Sequence, residues 1–131
     1  MTRTAAQNLV GTLAHHGVDR AFCVPGESYL AVLDALYDHP EILTVCCRHE
    51  SGAGFMAVAD AKITGRPGAV FVSCGPGAGN AAIAVYAARE DAVPLVPAEQ
   101  TRWHRTPPFP PMRRGRTIQD RPRQPLAMES C

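Results

Sequence analysis

The sequence predicts an α/β fold: a three-layer parallel sheet with helices on both faces. Two observations predict it. Short apolar runs alternate with longer segments whose apolar residues recur at helical spacing, in the order α-β-α-β-α-β-α-β. The connections between them are short and marked by Gly or Pro, which suits a sheet wrapped by crossover helices.

Each element has its own warrant. Residues 4–16 read as a helix, because Ala6, Leu9, Val10 and Leu13 form one stripe and Gly17 is placed to end it. Ala21-Phe22-Cys23-Val24 is a short buried strand stopped by Pro25-Gly26. Ser28 is placed to cap a second helix carrying Tyr29, Val32, Leu33 and Leu36, which ends by Pro40. Ile42 to Cys46 is rich in β-branched residues and reads as a strand. Glu50 to Ile63 is a helix of small residues with Gly65 past its end, able to lie close to a sheet or a partner helix. Ala69 to Ser73 is a third strand. It leads into the glycine-rich turn Gly75-Pro76-Gly77-Ala78-Gly79-Asn80, with Pro76 in the first turn of a helix running to about Arg89. Pro94-Leu95-Val96 begins a fourth strand.

The composition changes at Val96. Residues 1–96 hold six basic and nine acidic side chains, net −3, whereas residues 97–131 hold seven arginines and three acids, net +4. The second segment also holds seven of the twelve prolines and has no helical or strand periodicity. The expected organisation is therefore an incomplete folded domain at 1–96 and a disordered Arg/Pro-rich tail at 97–131. Arginine and proline without lysine is also what a GC-rich reading frame yields out of register, so the tail reads as the product of a frameshift or truncation.

Several function classes are set aside. No apolar run approaches the ~18–20 residues that span a membrane, and the N-terminus lacks a signal-peptide core, so the expected location is the cytoplasm. Five cysteines without C-x-x-C spacing offer neither a disulfide framework nor a zinc signature, and Cys23, Cys46 and Cys74 read as small buried hydrophobes. His49-Glu50 lacks the second histidine of a zinc helix, since residue 53 is Ala53, and no metal ligands are assigned. The glycine turn is neither a dinucleotide fingerprint nor a P-loop, because Asn80 stands at the last position and no Gly-Lys-Ser/Thr follows.

Two segments carry chemistry. Arg48-His49-Glu50 and the Gly75–Asn80 turn each sit at the C-terminal end of a predicted parallel strand, the edge where open α/β sheets bind ligands. Glycines let a planar group approach the backbone, and a helix start offers free N–H donors. Glu50 also has a plain structural reading, as an acid favoured at a helix N-terminus.

Taken together, Phe22-Cys23-Val24-Pro25-Gly26-Glu27-Ser28, Arg48-His49-Glu50, Gly75-Pro76-Gly77-Ala78-Gly79-Asn80 and Asp91-Ala92-Val93-Pro94-Leu95-Val96 follow one another in an order and spacing that resembles a known family. It is the N-terminal pyrimidine-binding domain of thiamine diphosphate enzymes of the acetolactate synthase and 2-oxoacid decarboxylase type, and the resemblance covers residues 3–96. It implies that Glu50 bonds N1′ of the cofactor's aminopyrimidine. That bond promotes the imino tautomer that removes the C2 proton, and the resulting ylid attacks a 2-oxo acid. It further implies that Pro25, Gly26, Gly75, Pro76, Gly77 and Asn80 line the pyrimidine and substrate side. The chain departs from the family at Cys23, where glycine is usual, at Asp60-Ala61-Lys62-Ile63, at Gly79 and, above all, after Val96.

By this resemblance the chain is a thiamine pyrophosphate-binding half-site, inactive alone. Magnesium and diphosphate contacts would come from a further domain or from a second chain in a split enzyme, and the exposed edge of a four-stranded sheet predicts a homo-oligomer. The competing class is a nucleic-acid-binding module acting through the Arg-rich tail.

Overall fold

A computed structural model describes residues 3–100. Four strands, β1 (Arg20–Cys23), β2 (Leu43–Cys46), β3 (Gly68–Ser73) and β4 (Leu95–Gln100), form one sheet in the order β2-β1-β3-β4. Every neighbouring pair is parallel. Helix α1 (Ala5–His15) precedes β1, and α2 (Leu30–Tyr37), α3 (Glu50–Thr64) and α4 (Cys74–Glu90) connect the strands.

The layers follow from side-chain alternation along the strands. Ala21, Cys23, Ala69 and Phe71 face Val10 and Leu13 of α1 and Ala35 and Leu36 of α2. Phe22, Val70 and Val72 face the other way, onto Ala53 and Ala57 of α3 and Ala81 of α4. The chain moves from β1 outward to β2 and then back across β1 to β3. With right-handed crossovers this reversal places α2 and α3 on opposite faces and makes the β1/β3 boundary the switch point of the sheet.

The two faces are built differently. The α1/α2 side is filled by large side chains, with Tyr29 stacked on Phe71 at a ring separation of 6.2 Å. The α3/α4 side is filled by close approach of backbone. A Cβ added at Gly54 would stand 2.6 Å from Ala84 Cβ, and one at Gly68 would stand 2.2 Å from the Ala57 carbonyl oxygen. The small residues read from the sequence as permitting close packing serve that end.

The helix ends match the sequence closely. Thr4 and Gln7 form a reciprocal capping box at the start of α1. Gly65 closes α3 in the left-handed conformation at φ 71°. Three expectations are corrected. Ser28 does not cap the second helix: Glu27–Tyr29 form a single 3-10 turn ahead of α2, and the Ser28 hydroxyl pairs with Ser73 Oγ at 2.8 Å instead. Gly75 to Asn80 is not a loop, since α4 already begins at Cys74. The strand begun at Leu95 does not fail at Pro97 but runs to Gln100, in register from Gly68↔Leu95 to Ser73↔Gln100. Pro97 is tolerated because β4 is an edge strand, where a residue without an N–H need not leave a neighbour unpaired. The disorder expected from 101 to 131 lies outside the described residues.

Cys23 is buried as expected, but Cys46 is exposed and Cys74 half-buried. Cys46 ends the outer strand β2, where one side of the sheet is open.

Candidate functional site

The C-terminal ends of β1 and β3 meet the N-termini of α3 and α4. Glu50 is the first residue of α3, and His49 caps that helix by accepting from the Ser51 N–H at 3.2 Å, with Ser51 Oγ at 2.7 Å from the same ring nitrogen. Because His49 serves as the cap, the Glu50 side chain is free to point elsewhere. Asn80 Nδ2 donates to Glu50 Oε2 at 2.9 Å, joining the second turn of α4 to the first of α3. Arg48 is exposed and forms no ion pair among the described residues.

Gly77 is the buried position between them. A Cβ there would lie 3.4 Å from Glu50 Oε1 and 3.4 Å from Val72 Cβ. A left-handed turn is one reason for glycine in such a segment, and close approach of a planar group is another. The first does not apply here. None of Gly75, Gly77 and Gly79 has positive φ; that conformation falls on Cys74, at φ 53°, where β3 turns into α4. A non-glycine residue held there stores local strain, of a kind that clusters at binding sites. Gly77 leaves this side of the Glu50 carboxylate uncovered, where an added Cβ would stand in van der Waals contact with it.

On the β1 side, Gly26 is tightly constrained. A Cβ would sit 2.6 Å from both Cβ and Oγ of Ser73. Ser73 precedes α4 but provides no side-chain cap, because its hydroxyl is held by Ser28. The first-turn N–H groups of α4 therefore stay available at the crevice. Pro25, Gly75 and Pro76 are exposed around this corner. The structure thus brings Glu50, Gly77 and Asn80 together, locks Gly26 to Ser73 beside them, and leaves Pro25, Gly75 and Pro76 at the rim. Ser28 and Ser73 were not among the sequence candidates; their pairing across 45 residues has no local signal.

Burial favours a carboxyl group that shares a proton, since it raises the pKa. Within the described residues Glu50 is half-buried, and its pKa lies below the ordinary glutamate value, first because Asn80 donates to it and then because its own backbone N–H does. It is a carboxylate at neutral pH, and an acceptor. A depressed folded-state pKa contributes stability that is present above the unfolded value and is lost as pH falls through the folded one. For so solvated a group the contribution is small. Asn80→Ala is expected to raise the Glu50 pKa toward the ordinary value, read from the carboxyl carbon shift in an NMR pH titration. An unchanged midpoint would mean the Asn80 bond does not hold the charge in solution.

Two apolar clefts lie elsewhere, on opposite faces of β4. One, of about 400 Å³, lies among Leu9, Tyr29, Val32 and Phe71; the other, of about 460 Å³, among Val72, Ala81, Tyr86 and Arg89. Neither includes Glu50. Glu50 lies instead at the corner between strand ends, the edge at which open α/β sheets bind ligands.

Residues 3–98 match the family model described as thiamine pyrophosphate enzyme, N-terminal TPP binding domain. The chain is 46% identical over 95 residues to a probable 2-ketoarginine decarboxylase of Pseudomonas aeruginosa, covering 72% of this chain and 17% of that protein. It is 44% identical over 92 residues to an acetolactate synthase of Bacillus subtilis, covering 70% and 16%. Against the acetolactate synthase isozyme 1 large subunit of Escherichia coli it is 39% identical over 93 residues, covering 71% and 16%. The aligned part thus spans about a sixth of the length of these relatives. With the doubly wound parallel sheet and the matched residues in agreement, the chain belongs to the thiamine pyrophosphate enzymes, of which residues 3–98 are the N-terminal TPP binding domain.

Proposed function

We propose that Glu50, Gly77 and Asn80 hold the aminopyrimidine ring of thiamine pyrophosphate, and that this chain is the pyrimidine half-site of an acetolactate synthase-like enzyme acting on 2-oxo acids. The observation that carries the proposal is the Glu50 carboxylate at the switch point, fixed by Asn80 at 2.9 Å, with Gly77 beside it. A flat heterocycle needs such an arrangement: a directed acceptor, and a neighbouring position without a side chain. When bound, the cofactor supplies a carbon nucleophile toward the keto group of its substrate. Glu50 holds a proton between its carboxylate and the ring nitrogen N1′, and Asn80 fixes the rotamer in which it does so. Gly26, Pro25, Gly75 and Pro76 form the rim on which the ring edge rests.

A proton is shared only when the two groups are closely matched in pKa. Glu50 alone is too acidic for this, and covering the crevice would desolvate it and raise its pKa. The cover, with the diphosphate and magnesium contacts, is assigned to a further domain or a second chain. The exposed Phe55, Met56, Ile83 and Tyr86 of α3 and α4 give such a partner an apolar surface. The nucleic-acid reading rests on arginines outside the described residues, and no observation favours it. No helix among the described residues is long and apolar enough to cross a membrane.

The test is a ¹⁵N NMR titration of the full chain with thiamine and, separately, with thiamine pyrophosphate. Both are expected to move the same resonances at Glu50, Gly77 and Asn80, with similar weak affinity, because the proposed contacts are to the pyrimidine. Shifts confined to the β4 clefts, or seen only with the pyrophosphate form, would overturn the assignment.

A further inference from the structure

The geometry points to a reversible disulfide between Cys23 and Cys46, joining the C-terminal ends of β1 and β2. The two residues are register partners on neighbouring parallel strands. Their side chains leave the sheet on the same face, and their sulfurs stand 4.0 Å apart. Neighbouring strands are spaced by about 4.8 Å, inside the range of Cα separations that disulfides bridge. Closing the remaining gap asks chiefly for rotation of Cys46, which is exposed at the sheet edge and free to turn.

The other described thiols are placed differently. Cys47 follows Cys46 along the chain, packs with the α3/α4 side of the sheet and has its sulfur 3.8 Å from Met56 Sδ. Cys74 stands at the start of α4, where Ser73 Oγ lies 3.8 Å from its sulfur. Neither is paired with another cysteine among the described residues.

The roles divide by exposure. Cys46 meets solvent and reacts first: its thiolate attacks a peroxide oxygen, forms the S–O bond of a sulfenic acid and expels hydroxide. Cys23 is buried, and burial first, then the neighbouring Cys46, pushes its thiol up to about 12. It is therefore a poor target for a dissolved oxidant but is positioned as the resolving thiol. Its sulfur attacks the sulfenic sulfur, the S–S bond forms, and the oxygen leaves as water with the thiol proton. Overall, two thiols and one hydrogen peroxide give one disulfide and two waters. A thiol reductant reverses the bond by exchange.

The bond would tie together the strand end that leads into Pro25-Gly26 and the one that leads into Glu50. Any consequence for cofactor binding rests on the reading of the site above; the bond itself does not, and the experiment tests the bond alone. The full chain is treated with hydrogen peroxide, alkylated under denaturing conditions, and cut after Arg and after Glu. Cleavage at Arg20, Glu27, Glu41 and Arg48 separates the peptide with Cys23 from the one with Cys46 and Cys47. The two peptides are expected as one linked species, two hydrogen masses lighter than their sum, which dithiothreitol separates. Alkylation of Cys23 and Cys46 should fall together and in equal proportion. Cys47→Ser should leave the link intact and Cys46→Ser should abolish it. A link through Cys47 or Cys74, a link between chains, or oxidation of Cys46 with Cys23 still fully alkylated would overturn the proposal. Cys46 is exposed, so Cys46→Ser is expected to fold, and the peptide map of the unsubstituted chain decides the matter without it.

Discussion

Glu50→Gln, in the enzyme completed by a diphosphate-binding domain, is expected to slow exchange of the C2 proton of bound thiamine pyrophosphate by about 10²–10⁴-fold, the usual worth of a positioned acid–base group. Glutamine keeps the length and planarity of the side chain and an oxygen able to accept from Asn80 Nδ2, which reaches Glu50 at 2.9 Å. What it loses is the negative charge and the capacity to exchange a proton with N1′. Cofactor affinity should change far less than the exchange rate, because most of it comes from charge-assisted phosphate and metal contacts. Hydrogen–deuterium exchange at C2 followed by NMR is the direct measurement. A rate equal to that of the unsubstituted enzyme would remove Glu50 from the proton transfer and leave it the helix-terminal role its position also suits. Asn80→Ala is a graded companion: it frees the carboxylate rotamer without removing the carboxylate, so its effect should be smaller than that of Glu50→Gln.

Gly68→Ala is expected to be the most damaging single methyl in the fold. Its Cβ would lie 2.2 Å from the backbone oxygen of Ala57 and 2.9 Å from its carbonyl carbon, with Leu95 Cδ1 at 3.3 Å on the other side. Backbone cannot yield as a side-chain tip can. Relief requires α3 to move off β3, which opens the packing of Ala57, Val70 and Val72. Overpacking typically costs ~1–3 kcal/mol, and a clash with main chain falls at or above the upper end. For a domain of this size each kcal/mol lowers the melting temperature by roughly 4–8 °C, so a fall of about 12–24 °C is expected by circular dichroism. Gly52→Ala is the control. It lies in α3 with nothing within 4 Å of the added carbon, and alanine in an exposed helix interior is favoured over glycine by about 1 kcal/mol. It should hold or raise the melting temperature. If the two variants melt alike, the close approach of α3 to β3 is not a feature of the folded protein.

The order of strands and helices could be read from the sequence because it rests on local patterns. The stripe of Ala6, Leu9, Val10 and Leu13, the β-branched run ending at Cys46, and the punctuation at Gly17, Pro25, Pro40 and Gly65 each act over a few residues. The short motifs around Glu50 and Gly75–Asn80 were likewise legible, since a parallel strand followed by a helix places its junction at the ligand-binding edge. Where local reading erred, a tertiary contact had overridden it. Ser28 is a good cap by composition, yet Ser73, brought beside it by β3, claims its hydroxyl. Pro97 breaks most strands, yet β3 supplies a partner along one side and solvent the other. Gly77 looks like a turn glycine, yet it lies within α4 without positive φ, beside Glu50 on a helix that begins 27 residues earlier. The pairing of Cys23 with Cys46 and of Glu50 with Asn80 depends on strand order and helix approach, which set distances between residues 23 and 30 positions apart. The elements, their parallel arrangement and the residues eligible for the site were thus legible along the chain. Which of those residues meet was settled in three dimensions, because contacts across a sheet are fixed by packing and register, and neither leaves a mark in the neighbouring residues of the chain.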